Sequence, residues 1–179
     1  MNNNTNFQKV VDFNKQFGVP IFDFPQVNIF DENPKLVDLR MGLIREEVRE
    51  LEDGVKNKDL VETVDALADI LYVVYGMGAS IGVDLDEAFR LVHESNMSKL
   101  CKSEEEAKHT VEWYEDQFNN KQLPYDSPGY RKSSDGNYWV VYNKSTGKIL
   151  KSINYSPVDL KTFIEKSENK YKILELDVD

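Results

Sequence analysis

The sequence predicts an all-α domain, a four- to five-helix bundle, followed by a small C-terminal α+β appendage. Three observations carry that expectation. Apolar residues recur with helical period through most of the stretch from Phe7 to Phe118. The breaks between the periodic segments are marked by Gly, Pro and capping residues. After Asn119 the pattern changes to turn residues around an aromatic and β-branched run. On this basis residues 1–120 form the helical domain and 121–179 the appendage.

Taken in order, Phe7, Val10, Val11, Phe13 and Phe17 line one face of a short amphipathic helix that Gly18 ends. Pro20, Pro25 and Pro34 punctuate an irregular connection. Asn33 is placed to cap, and Pro34 to open, a first long helix over about 34–55. A tight polar connection over 54–59 leads to a second long helix over about 60–81, broken by Gly82. Asp84, with Glu87 three residues on, opens a third helix reaching Lys99. Ser103, followed by Glu104, Glu105 and Glu106, opens a fourth that reaches Phe118. In the appendage, Tyr138–Tyr142 reads as a strand and Asn143–Lys148 as a turn, with Ile149–Ile153 as the antiparallel partner. Ser156-Pro157 starts a short helix over Leu160–Ile164, and Tyr171–Leu176 reads as a last strand.

The bulk numbers exclude several classes. The chain has 179 residues and a net charge of −10, which argues against a general nucleic-acid or anionic-membrane binder. A nucleotide substrate stays open, because divalent cations neutralise both acids and phosphates. One cysteine, Cys101, and two histidines, His93 and His109, leave no disulfide and no Cys/His metal module. The start of the chain carries no basic or apolar leader, and the apolar stretch from Ile70 to Val83 is too short to span a bilayer. The expected location is the cytoplasm.

The acids are the informative residues. Positions 46–69 hold nine acids against three bases. A run of that kind is usually a solvated helix face, but helical phase decides differently here. In the first long helix Leu36, Leu39, Leu43, Ile44, Val48, Leu51 and Val55 share one apolar arc, with Glu47 inside it and Glu50 between Leu39 and Leu43. The second long helix is apolar around nearly its whole circumference, the pattern of a buried helix. Glu62, Asp65 and Asp69 make one narrow stripe along it. A short connection packs the two helices antiparallel. Glu50 and Asp65 then lie at similar heights, as do Glu47 and Asp69. Like charges in such a place need neutralising. Arg40, on the same arc, is one candidate partner, yet one guanidinium does not balance four or five carboxylates. An all-oxygen site for Mg²⁺, or Mn²⁺ in its place, does. The third helix carries Asn96 and Lys99 in phase with its apolar face, where they reach an anionic substrate; Lys99 equally suits the helix dipole.

The run Glu47-Val-Arg-Glu50-Leu, followed by Asp65-Ala-Leu-Ala-Asp69-Ile-Leu-Tyr72, resembles the all-α NTP pyrophosphohydrolase superfamily. That group includes MazG-like proteins, phosphoribosyl-ATP pyrophosphohydrolases, and dimeric dUTPases and dCTPases. Val92-His-Glu-Ser-Asn96-Met-Ser-Lys99 is similar to its downstream phosphate-contacting segment. The resemblance covers about residues 35–100. It implies a MazG-like bundle and Mg²⁺-dependent hydrolysis of a nucleoside triphosphate, a dNTP in first place, to monophosphate and pyrophosphate. The implied assembly is a homodimer or homotetramer. Glu47 and Glu50 match the family's E-x-x-E, both as ligands and as candidates to activate water, and Asp69 matches the last acid of its E-x-x-D. The acid three residues earlier is replaced by Ala66, so Asp65 or Glu62 must substitute. Asn96, Lys99 and Arg40 are the candidate phosphate contacts, and Tyr72 a candidate base or ribose contact. Phosphoribosyl-ATP hydrolysis is the alternative within the superfamily. A di-iron carboxylate bundle is disfavoured, since only Glu106-Ala-Lys-His109 fits its E-x-x-H motif. A non-catalytic, metal-binding helical regulator is the remaining class.

Overall fold

Helix boundaries fall where capping chemistry allows them. The structure, a computed structural model, describes residues 4–176, with side chains described through Tyr171. Its helices are α1 (Asn6–Gln16), α2 (Ile29–Glu32), α3 (Pro34–Asn57), α4 (Leu60–Ser80), α5 (Leu85–Met97), α6 (Glu104–Asn119) and α7 (Leu160–Leu176). Two strands, β1 (Pro128–Lys132) and β2 (Trp139–Asn143), pair antiparallel. The mostly helical architecture agrees with the expected class. No single helix among the described residues is long and apolar enough to cross a membrane. The chain divides into two compact units, one of residues 1–89 with 160–179, the other of residues 90–159.

In the first unit α3 and α4 form the central antiparallel pair. The Asn33 side chain accepts from the Leu36 N–H to cap α3, and Pro34 opens it. The Asp59 side chain accepts from Val61 and Glu62 N–H to cap α4, each cap contributing about 1 kcal/mol. Between the helices stand only Lys58, in the left-handed region at φ 58°, and Asp59. The connection is therefore tighter than the polar loop read from the sequence, because α3 keeps its helical bonds through Asn57. Buried Gly54 permits the close approach: a Cβ there would lie 3.0 Å from the Thr63 backbone nitrogen. After α4, Gly82 turns the chain at φ +73°, with the Phe24 carbonyl where a Cβ would go. The 18–28 segment is pinned to the same end by Phe22 N–H to Ala79 and Gln26 N–H to Ile81 carbonyls, both 3.0 Å.

Helix α4 departs from expectation. Its apolar circumference predicts burial, yet within the chain it packs mainly against α3 and α1, with Leu85 of α5 against Gly78 at its far end. Leu60 and Val61 are 76% and 77% exposed, and Val64, Leu67 and Leu71 are exposed as well. Only Ala66 and the Gly76–Ser80 end are largely covered. Hydrophobic patterning reports that a surface must be covered, not by which chain.

The second unit has its own core of Cys101, Ala107, Tyr114, Val141 and Leu150. Here the strand pairing differs from the sequence reading. β2 takes as its main partner the upstream β1, in the register Tyr130↔Val141, and the downstream stretch makes only an isolated bridge, Tyr142↔Ile149. Pro128-Gly129 reads as a turn in isolation, but Gly129 serves the strand by letting the Lys144 stem lie across it. On the opposite edge Cys101 and Trp139 exchange both backbone hydrogen bonds, at 2.8 and 2.9 Å. The buried Cys101 thiol is thus structural, and burial raises it above its usual range. The expected last strand, Tyr171–Leu176, is instead the end of α7, since Phe163, Ser167 and Tyr171 continue one helical stripe.

Candidate active site

The geometry of the α3–α4 seam follows from the Lys58 cap. Glu47 and Asp69 each lie eleven residues from it, Glu50 and Asp65 eight and seven, and Arg40 and Gly76 eighteen each. Residues at equal distance from an antiparallel hinge face one another. The Arg40 end confirms this register: a Cβ on Gly76 would lie 3.0 Å from Arg40 Nη1.

Glu47 is the half-buried acid of the seam, whereas Glu50, Glu62, Asp65 and Asp69 are exposed. Partial burial, then the charges of Glu50, Asp69, Glu46 and Asp65, hold the Glu47 carboxyl above its usual range. Acids from both helices therefore act on one carboxyl. Among the described residues no Lys or Arg forms an ion pair with any of them. No three Asp, Glu, His or Cys side chains among the described residues stand close enough together to hold one ion. Glu62 stands in the first turn of α4, with its N–H held by the Asp59 cap.

Arg40 takes no part in neutralising them. It is 6% exposed, its Nε donates to Ser80 Oγ at 2.8 Å, and Ser80 Oγ donates to the Pro20 carbonyl at 3.0 Å. Burial lowers its pKa from the usual guanidinium value. Its Nη2 and the buried Asn14 Nδ2 have no partner among the described residues.

Tyr72, one turn beyond Asp69, is 40% exposed and meets the Phe13 ring edge-on at 5.5 Å. Phe13 in turn stacks on Phe17 at 4.2 Å, and both phenylalanines are exposed. This aromatic shelf beside the acids was missed at the sequence level, where Phe13 and Phe17 read as the buried face of α1. Only their pairing with an exposed α4 face reveals it. In the second unit Lys99 Nζ donates to Asn96 Oδ1 at 2.7 Å, an ammonium and an amide presented together.

Two antiparallel helices that line one seam with unneutralised carboxylates define a class of all-helical proteins suited to a hard cation and a phosphorylated ligand. Comparison with known proteins makes the class specific. The model of the phosphoribosyl-ATP pyrophosphohydrolase family matches residues 10–96. An uncharacterised protein of Acanthamoeba polyphaga mimivirus is 34% identical, over 83% of this chain and 91% of that protein. The chain belongs to the phosphoribosyl-ATP pyrophosphohydrolase family, part of the MazG-like superfamily of NTP pyrophosphohydrolases. Its family marks it as a hydrolase of the pyrophosphohydrolase kind.

Proposed function

We propose that the chain hydrolyses a nucleoside triphosphate, a dNTP in first place, to the monophosphate and pyrophosphate, with Mg²⁺ held by Glu47, Glu50 and Asp69. Asp65 completes the set, with Glu62 as its substitute. The observation that carries this reading is the Glu47 carboxyl, raised by burial and by acids of both helices while no base among the described residues pairs with them. The donor chemistry fits: carboxylate oxygens are the ligands that Mg²⁺ and Mn²⁺ prefer. When bound, such an ion offsets phosphate charge and acidifies a water.

The chain's own residues do the rest. Glu47 or a neighbouring acid of the seam takes the proton of the attacking water as the phosphoanhydride bond breaks and pyrophosphate leaves. Tyr72 and the Phe13 edge offer a face for the base or ribose. Asn96 and Lys99 are assigned to phosphate by their chemistry and by the family resemblance, whereas Arg40, expected beside them, is buried and bonded to Ser80. The exposed apolar face of α4 is covered by a second copy, in a homodimer or a dimer of dimers.

A second reading, phosphoribosyl-ATP as substrate, is favoured by the description of the matching family. The test is a panel of NTPs, dNTPs and phosphoribosyl-ATP with Mg²⁺ or Mn²⁺, scoring pyrophosphate release. Release from a dNTP, lost in Glu50→Gln, supports the first reading; release from phosphoribosyl-ATP alone supports the second. A folded protein that is inactive on the whole panel, or full activity in Glu50→Gln, overturns both.

A further inference from the structure

The whole-chain charge of −10 conceals a segregation. Residues 119–158 hold six bases and two acids, so this stretch carries +4 and the remainder −14. The six bases, Lys121, Arg131, Lys132, Lys144, Lys148 and Lys151, are all exposed, and among the described residues none enters an ion pair. The two acids are consumed inside turns. Asp126 accepts from Asn143, Ser127 and Ser145, and Asp135 from Ser133 and Asn137. The unit as a whole, residues 90–159, balances ten bases against ten acids. The six cations thus make a local basic surface on a neutral unit, and such a surface attracts polyanions.

The same stretch is aromatic. Arg131 lies 5.6 Å from the Tyr142 ring centre, Lys132 5.6 Å from Trp139, Lys148 4.9 Å from Tyr125 and Lys151 4.4 Å from Tyr155. The hairpin register sorts these groups by face. Tyr130, Val141 and Asn143 point inward, the last two fully buried. Arg131, Val140 and Tyr142 point outward with Gly129. The Tyr142↔Ile149 bridge adds Ile149, 46% exposed, to that outward face. The Lys144 stem crosses Gly129, where any Cβ would collide with it. The result is a patch that brings the Tyr142 ring together with Arg131 and Lys144.

We propose that this outward face of the β1–β2 hairpin binds single-stranded nucleic acid, an unpaired base stacking on Tyr142 and the phosphates meeting Arg131 and Lys144. One ring flanked by two cations offers an unpaired base a face to stack on and gives its neighbouring phosphates a charge to meet. The inference is independent of the pyrophosphohydrolase reading, because it rests on residues outside the α3–α4 seam.

The test is fluorescence anisotropy of the full chain with labelled single-stranded DNA and RNA of roughly 16 nucleotides, in EDTA. Binding is expected to weaken with salt, with a log–log slope of about −0.7 for each phosphate contacted. Tyr142→Ala weakens it about tenfold at constant salt, whereas Tyr142→Phe keeps it. Arg131→Ala with Lys144→Ala flattens the slope by about 1.4. All of these variants keep the wild-type circular dichroism and rate of pyrophosphate release. No binding at about 50 mM salt overturns the proposal. So does equal affinity of wild type and Tyr142→Ala, which reduces the patch to a general polyanion surface. Tighter binding to anionic vesicles than to either oligonucleotide overturns it too.

Discussion

The acids of the two units live under opposite rules. On the α3–α4 seam, burial and like charges raise Glu47, and among the described residues no basic side chain pairs with it. In the hairpin unit Glu106, Asp126 and Asp135 are lowered by donors. Burial alone would raise Glu106, but hydrogen bonds from Ser152, the Lys102 N–H and Asn154 hold it below its usual range. Asp126 is lowered by Ser145, Asn143 and Ser127, and Asp135 by Ser133 and Asn137. One set of carboxylates is satisfied by donors of the fold, and the other meets no base among the described residues. The two sets are separated by what surrounds them, not by residue type.

The largest effect that breaks this contrast is kinetic. Glu47→Gln should lower kcat by about 10²- to 10⁴-fold. The melting temperature should hold or rise, because a carboxyl repelled by its neighbours has gone. A clear fall in melting temperature would instead make Glu47 a structural acid. Next comes stability in the other unit. Asn143 is fully buried, accepts from the Ser127 N–H, and donates toward Asp126, Ser145 and Thr146. Asn143→Ala should cost about 2–3 kcal/mol, read as an early loss of tryptophan fluorescence structure on heating, while pyrophosphate release at low temperature persists. Both tryptophans, Trp113 and Trp139, lie in this unit, so that signal reports on it alone.

The smallest effect is the pH response, whose sign differs between the units. Asp126, Asp135 and Glu106 have lowered folded values, so their stabilisation is present above the unfolded carboxylate range and lost as pH falls through the folded values. Glu47 has a raised folded value, so its contribution is complete below the unfolded range and lost as pH rises through the folded one. Mild acid should therefore weaken the tryptophan-reported melt first, with the helical signal at 222 nm holding longer. The reverse order would erase the contrast.

Much of this is legible in the sequence because helical phase is local. Asn33, Pro34, Asp59 and Gly82 mark the ends of α3 and α4 to within a few residues, and phase alone puts Glu47 among Leu43, Val48 and Leu51. What fails depends on partners that a sequence does not order in space. The apolar circumference of α4 says that the helix needs covering, yet within the chain Leu60 and Val61 stand open. The partner of β2 was sought downstream, across the Asn143–Lys148 turn, whereas the upstream strand supplies it. The Phe13 and Tyr72 shelf joins two helices far apart in sequence. The basic hairpin was hidden by averaging its charge with the acids of the helices.

The central claim is that the seam acids await a divalent cation. Thermal unfolding of the full chain across a Mg²⁺ titration at neutral pH, against NaCl of matched ionic strength, tests it most directly. A cation bound only by the folded state adds about 2.7 kcal/mol at a hundredfold excess over Kd. The melting temperature should therefore climb with the logarithm of Mg²⁺ concentration in the wild type and stay flat in Glu47→Gln with Asp69→Asn. A wild-type response no larger than that of NaCl, or an equal Mg²⁺ response in the double variant, would contradict the account.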